Sequence, residues 1–104
     1  ELAMAVTLEP TRGSLWNNLG FAHQSDGNLA EAEAEYRRAI ELDPKLVSAH
    51  LNLATVMARR GDTAGARRAH EAARTIDAED PRVLELGKEL DTLLGATSAT
   101  PKAP

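Results

Sequence analysis

Residues 13–46 read GSLWNNLGFAHQSDGNLAEAEAEYRRAIELDPKL, and this stretch decides the fold of the chain. Two helical patterns flank a turn at Gly27 and Asn28, and Pro44 follows the second pattern. Glycine favours the left-handed conformation that ends many helices. Asn28 is suited to cap the next helix, with Glu31 three residues later to complete a capping box. The stretch therefore predicts a helix–turn–helix hairpin.

The two predicted helices carry small residues where their backbones approach each other. Close approach needs a small side chain on one side of the seam, and larger side chains then fill the remaining volume. The small positions are Gly20, Ala32 and Ala39, and the large ones are Trp16, Leu19 and Tyr36. We expect Trp16 to be largely buried against the second helix of its own hairpin.

The same pattern recurs at a fixed period of 34 residues, in phase from residue 5 to residue 77. Moving forward by one period takes Leu19 to Leu53, Gly27 to Gly61, Ala32 to Ala66 and Ala39 to Ala73. Moving back by one period takes Pro44 to Pro10. The residue types and the period resemble the tetratricopeptide repeat family. The resemblance implies an all-α fold of antiparallel helix-turn-helix repeats, stacked as a short right-handed α-solenoid.

The repeat phase divides the chain into five segments. These are the tail of a partial N-terminal repeat at 1–10, a first repeat at 11–46, a second at 47–80, a C-terminal capping helix at 81–95 and a disordered tail at 96–104. Full helices are expected at 12–25, 29–42, 45–60 and 63–76, and the capping helix at 81–94. The segment 1–10 lacks a partner first helix, so either the chain begins within a longer array or this helix is a natural cap. Lys88 and Asp91 stand where a further helix would pack, which is typical of a polar terminal cap.

Composition limits the classes of partner. The chain of 104 residues has a net charge of −4, which offers no general attraction to nucleic acid or to an anionic membrane. It has no cysteine, and no apolar run approaches the length of a membrane span. We therefore expect no nucleic acid and no membrane partner. The sequence does not determine the compartment, and a cytoplasmic location is favoured.

The resemblance implies a function in binding, because stacked first helices of this family line a groove for a peptide or a partner protein. It places these side chains in the groove: Asn17, Asn18, Phe21, Gln24, Ser48, Leu51, Asn52, Thr55, Arg59, Arg82, Glu85 and Glu89. Asn18 and Asn52, one repeat apart, are suited to hydrogen-bond an extended peptide backbone. The clamp with which one subfamily grips acidic peptides is not implied, since Glu85 and Glu89 would repel a carboxylate.

Two further functions stay open: a structural spacer or self-association segment, and a substrate-docking region of a larger enzyme. Apolar residues near the N-terminus also predict a weak homodimer through the N-terminal helix. Arg37 and Arg38 lie among glutamates on a solvated helix face. No aromatic residues interleave with the arginine pairs to stack on bases, so these arginines do not indicate nucleic-acid binding.

Catalytic chemistry is not indicated by the sequence. His23, His50 and His70 replace large packing residues of the family and lack the spacing of helical metal ligands, so we expect no metal site. There is no nucleophile beside a base and no phosphate-binding glycine loop. We therefore expect neither enzymatic activity nor a cofactor.

Overall fold

A computed structural model describes residues 12–93, and within that range the chain forms five helices and no strand. They are α1 (Gly13–Ser25), α2 (Leu29–Leu42), α3 (Val47–Arg59), α4 (Thr63–Ile76) and α5 (Pro81–Leu93). The predicted all-α repeat fold is confirmed. The largest departure from the predicted helix limits is at α3, which begins at Val47 rather than at residue 45.

Several predictions concern residues outside the described range. The partial N-terminal repeat, the dimer contact through it, the end of the capping helix and the disordered tail all involve residues 1–11 or 94–104. The limits of the five segments stay predictions. None of the helices between residues 12 and 93 is long and apolar enough to cross a membrane.

The helices pack as two hairpins and a terminal helix. α1 packs on α2 and α3 on α4, while α2 also contacts α3 across the junction between the hairpins. α5 contacts both α4 and α3. The main core joins both hairpins and α5 through Ala32, Tyr36, Leu53, Ala54, Val56, Met57, Ala66, Ala69 and Leu90. Alanines on α2 and α4 let the helices approach closely, as the sequence pattern predicts.

The two hairpin turns have the same backbone geometry. Gly27 and Gly61 have φ of 85° and 88°, in the left-handed region that residues with a Cβ atom rarely adopt. The amide of Asn28 donates to the His23 carbonyl at 2.8 Å, and that of Asp62 donates to the Met57 carbonyl at 2.9 Å. Glycine is therefore required by the backbone at both turns.

The predicted capping box at Asn28 is wrong. Its side chain makes no capping hydrogen bond, whereas Asp62 Oδ1 accepts from the Gly65 amide at 2.8 Å. The backbones of Asn28 (φ −85°, ψ 73°) and Asp62 (φ −88°, ψ 83°) are alike, so the difference in capping comes from the side chains. A carboxylate is the stronger acceptor for the amides at a helix N-terminus. At α5 the order Asp80–Pro81 predicts an aspartate cap with proline in the first turn, and the cap is present, because Asp80 Oδ1 accepts from the Arg82 amide at 2.8 Å.

The buried face of α1 differs from the predicted one. Trp16 and Leu19 are only partly buried. The buried residues are instead Gly13, Asn17, Gly20 and Gln24. The reason is Tyr36, which is fully buried against Gly20: a Cβ atom at Gly20 would lie 2.7 Å from its Cε1 atom. Of the three large residues expected to fill this seam, Tyr36 thus fills the space beside Gly20, and the Arg38 guanidinium lies 5.9 Å from the Trp16 ring centre.

A carboxylate bridges the two hairpins on their outer surface. Glu33 of α2 accepts from Arg37 of the same helix at 2.8 Å, an i,i+4 pair. Its other oxygen accepts from Arg60, beyond the end of α3, at 2.6 Å. The hydrogen bond from Arg37, with that from Arg60, holds the pKa of Glu33 below its ordinary value. Glu33 therefore links the hairpins outside the core.

Candidate functional site

The candidate site is a groove lined by α1, α3 and α5. α3 contacts α1 on one side and α5 on the other, so the three helices lie next to one another. Each is either the first helix of a hairpin or the terminal helix. Equivalent positions on successive helices of this set are one repeat period apart. A given side-chain position therefore recurs once on each helix along the groove.

A row of hydrogen-bonded polar side chains joins α1 to α3 in this groove. Asn17 Nδ2 donates to Ser48 Oγ at 3.1 Å, and Asn52 Nδ2 donates to Asn17 Oδ1 at 3.1 Å. Asn17 is only 7% exposed, whereas Ser48 and Asn52 are partly exposed. Asn17 therefore holds the Asn52 amide in place from below.

Two adjoining clefts lie between α3 and α5. The first has a volume of about 630 Å³ and is lined by Ser48, Leu51, Asn52, Thr55, Pro81, Arg82, Glu85, Leu86 and Glu89. The second, of about 660 Å³, is lined by Thr55, Ala58, Arg59, Glu85, Leu86, Lys88, Glu89, Leu90, Thr92 and Leu93. Most of the side chains assigned to the groove from the sequence lie in these clefts.

The remaining predicted groove residues lie on α1. Asn18 is exposed, and Phe21, one turn later, is 54% exposed. Gln24 is buried, and its Oε1 accepts a 2.5 Å hydrogen bond from the Tyr36 hydroxyl. Burial raises the pKa of that hydroxyl. We assign Gln24 to the hairpin seam, because its side-chain oxygen already has a partner there.

Sequence reasoning did not include Leu86 and Lys88 among the groove residues. The helical spacing of Leu86 predicts a core position in the capping helix, and Lys88 is predicted on its polar face. A signal was available in the repeat period, since Leu86 lies one period after Asn52. Leu86 is partly buried and lines both clefts, which gives them an apolar wall.

The charges at the first cleft are unequally matched. Arg82 donates to both oxygens of Asp80, at 3.1 and 2.7 Å, which holds the pKa of Asp80 below its ordinary value. Glu85 and Glu89 are exposed, and no cation among residues 12–93 forms an ion pair with either. Two carboxylates thus remain unneutralised beside the apolar wall.

The described residues contain no cluster of three or more histidine, cysteine, aspartate or glutamate side chains that could hold a metal ion. His50 is 8% exposed, and His23 and His70 are partly exposed. In the same part of the chain, every buried side-chain nitrogen and oxygen has a hydrogen-bond partner.

Comparison with known proteins identifies similar chains. A sequence model described as tetratricopeptide repeat matches residues 11–79. The chain is 34% identical over 73 residues to WspC of Pseudomonas putida, a probable biofilm formation methyltransferase, and 32% identical over 87 residues to an SGT1 homolog of Oryza sativa subsp. japonica. These matches cover 70% and 84% of this chain but only 17% and 24% of those proteins.

Solved structures share the architecture. The TPR2B domain of yeast Sti1, in a complex with pHsp70, matches with a TM-score of 0.77 and 28% identity, covering 95% of this chain and 78% of that one. The type III secretion chaperone SycD of Yersinia enterocolitica, in complex with a peptide of the translocator YopD, matches with a TM-score of 0.80. Its identity is 20%, and it covers 95% of this chain and 76% of that one, so this likeness concerns the fold alone.

Proposed function

The chain belongs to the tetratricopeptide repeat family, and from that premise we propose that it is a protein–protein interaction module. Its ligand is a peptide or a partner protein that lies in the groove of α1, α3 and α5. The observation that carries the proposal is the row of hydrogen bonds from Asn52 through Asn17 to Ser48, beside a cleft of about 630 Å³.

The Asn52 side chain is held ready for a ligand. An amide has two N–H donors and an oxygen with two lone pairs. Asn52 uses one donor on Asn17 and makes no other hydrogen bond within residues 12–93, so its oxygen and second N–H are available to a peptide backbone. Because Asn17 already fixes the side chain, binding costs less conformational entropy.

Asn18 and Phe21 extend the surface onto α1. Asn18 is exposed one repeat before Asn52, which offers a second amide at the equivalent position. Phe21 is 54% exposed and supplies an apolar ring next to it. The pHsp70 complex of the Sti1 domain, which shares this architecture at 28% identity, supports a peptide or protein ligand for this surface.

The experiment selects peptides from a displayed random library on the intact chain and measures their affinity by titration calorimetry. Asn18→Ala/Asn52→Ala should weaken binding about tenfold, because two net hydrogen bonds are worth about 1 kcal/mol or more together. The matched control is Asn28→Ala, which changes an exposed asparagine whose side chain makes no capping bond. Equal affinities for all three proteins would contradict the proposal.

A second candidate is a substrate-docking region of a larger enzyme, which the similarity to WspC favours. The chain spans 17% of that protein's length. In a longer enzyme of this kind, groove variants should raise KM for a protein substrate and leave kcat unchanged. A change in kcat alone would contradict docking.

A structural spacer or self-association segment is the remaining alternative. This alternative predicts that substitutions in the groove do not change the affinity for any partner. The predicted weak homodimer is tested by sedimentation over a range of concentrations, with Leu2→Glu/Val6→Glu as the control. A monomer at every concentration, unchanged by the two glutamates, would contradict self-association.

A further inference from the structure

The first cleft combines an apolar base with unmatched negative charge. Leu51 is 7% exposed, and with the partly buried Leu86 it provides the apolar surface. Glu85 and Glu89 line the same cleft from α5, one turn apart. Side chains at this spacing lie on the same face of a helix, about 5–6 Å apart at their Cβ atoms. A single cation is therefore able to contact both carboxylates.

The cations near the groove do not neutralise this pair. Arg82 lines the first cleft, but it donates to both oxygens of Asp80. Arg59 and Lys88 line the adjoining cleft, and neither forms an ion pair with Glu85 or Glu89. The first cleft thus has local negative charge that a ligand has to match.

We propose that the ligand of this groove is a basic peptide segment, an inference that rests on the proposed function. It places a lysine or arginine side chain between Glu85 and Glu89 and a neighbouring apolar side chain against Leu51 and Leu86. Asn52 holds the peptide backbone between these two contacts. A ligand with a carboxylate at the same place is repelled, so the groove discriminates by charge.

The experiment uses three pools of short peptides that share an apolar residue and differ at one fixed neighbouring position, which is lysine, glutamine or glutamate. Binding to the intact chain is measured at low and at high salt. The lysine pool should bind about fivefold to tenfold more tightly than the glutamate pool at low salt, since exposed ion pairs each contribute a few-fold. High salt should reduce this preference.

Two double variants with the same change in net charge locate the effect. Glu85→Gln/Glu89→Gln should abolish the preference for lysine. Glu31→Gln/Glu79→Gln removes two exposed glutamates outside the clefts and should leave the preference intact. Circular dichroism of both variants verifies that they fold.

The outcomes separate this inference from the proposed function. Equal binding of the three pools, lost in Asn18→Ala/Asn52→Ala, would overturn the basic ligand and leave the peptide groove standing. Tighter binding of the glutamate pool would also overturn it, as would a lysine preference that survives Glu85→Gln/Glu89→Gln. Absence of binding by every pool would contradict both proposals.

Discussion

The two hairpins place their helices alike but use different side chains to hold them. Tyr36 of the first hairpin is fully buried, rests on Gly20 and donates to Gln24 within the same hairpin. Its equivalent in the second hairpin, one repeat period later, is His70, which is partly exposed. The His70 Nε2 atom instead bonds the Val83 carbonyl of α5 at 2.8 Å. The first hairpin is thus closed internally, and the second is tied to its neighbour.

A second pair of equivalent positions shows the same difference. Trp16 of the first hairpin is partly buried beneath Arg38. Its equivalent, His50, is 8% exposed, and its Nε2 atom bonds the Pro44 carbonyl at 2.8 Å. Both histidines therefore bond main-chain oxygens outside their own hairpin. An imidazole at these positions couples adjacent units, whereas a larger aromatic ring packs within one.

The largest effect should come from removing the ring of Tyr36. Tyr36→Ala should lower the free energy of unfolding by ~3–5 kcal/mol, as other large core truncations do, and it leaves Gln24 without its partner. His70→Ala should cost only ~1–2 kcal/mol, since that side chain is smaller and partly exposed. Urea midpoints measure both. Equal losses of unfolding free energy in Tyr36→Ala and His70→Ala would contradict the difference between the two hairpins.

Trp16→Ala should also cost less than Tyr36→Ala. Full burial, which the sequence predicts for Trp16, would correspond to a loss of ~3–5 kcal/mol. Partial burial reduces the expected loss to ~1–2 kcal/mol. The same urea titration decides this order, and a larger loss for Trp16 than for Tyr36 would contradict the described packing.

Gly20→Ala should sharpen the comparison, because the second hairpin already has alanine at the equivalent Ala54. The added Cβ would lie 2.7 Å from the Tyr36 ring, so overpacking should outweigh the gain in helix propensity and cost a net ~1 kcal/mol. In a Tyr36→His background, which copies the second hairpin, the same change should become neutral or stabilising. A double-mutant cycle measures the coupling; additive effects would contradict it.

Coupling between units should be visible in His70→Ala by hydrogen exchange. Loss of the bond to the Val83 carbonyl should speed exchange of the α5 amides, while those of α1 should not change. His70→Gln, which keeps a donor, is the matched control. Uniform acceleration along the whole chain would indicate global destabilisation instead.

The smallest effect should be a dependence on pH that arises from His23 of the first hairpin. His23 Nδ1 lies 2.6 Å from Glu35 Oε1, and this hydrogen bond raises the His23 pKa above 6.5 against the opposing effect of burial. The charges of Glu35, Glu31 and Asp26 raise this pKa further.

Because the folded pKa is the higher one, the stabilisation is fully present below about pH 6.5 and is lost as the pH rises through the folded value. The equivalent residues of the second hairpin are Met57 and Ala69, which do not titrate. Glu35→Gln should therefore flatten the change in Tm between about pH 6 and 8. The same slope in the variant and the parent chain would contradict this assignment.

The hairpin turns and the cap of α5 were predictable because they depend on neighbouring residues, although the capping box predicted at Asn28 is wrong. Gly27, Gly61, Asp80 and Pro81 act through local backbone geometry, and the observed turns and the cap of α5 follow from it. The buried face of α1 was not predictable in this way. It consists of small and polar residues, whose burial depends on the ring of Tyr36 from another helix.

The groove was predictable in outline and not in its contacts. The repeat period places Ser48, Asn52 and Glu85 on the same surface. The hydrogen bonds that fix Asn17, however, join residues whose separations in sequence are 31 and 35 positions, and a local pattern does not predict such contacts. Gly65 gives a similar lesson, since helix propensity alone predicts a cost there. A Cβ at Gly65 would lie 2.5 to 2.8 Å from side-chain atoms of Asp62 and Met57, so a larger residue there would make those side chains shift.

The Glu33 bridge gives the junction between the hairpins two unequal sides. On the inner side the units pack through the apolar core, which salt affects little. On the outer side Glu33 joins Arg37 and Arg60, whose side chains are 52% and 43% exposed, and dissolved ions screen such pairs. Added salt should therefore weaken the outer contact between the hairpins and leave the core contact on the inner side largely unchanged, so the two sides of this junction differ in their response to ionic strength.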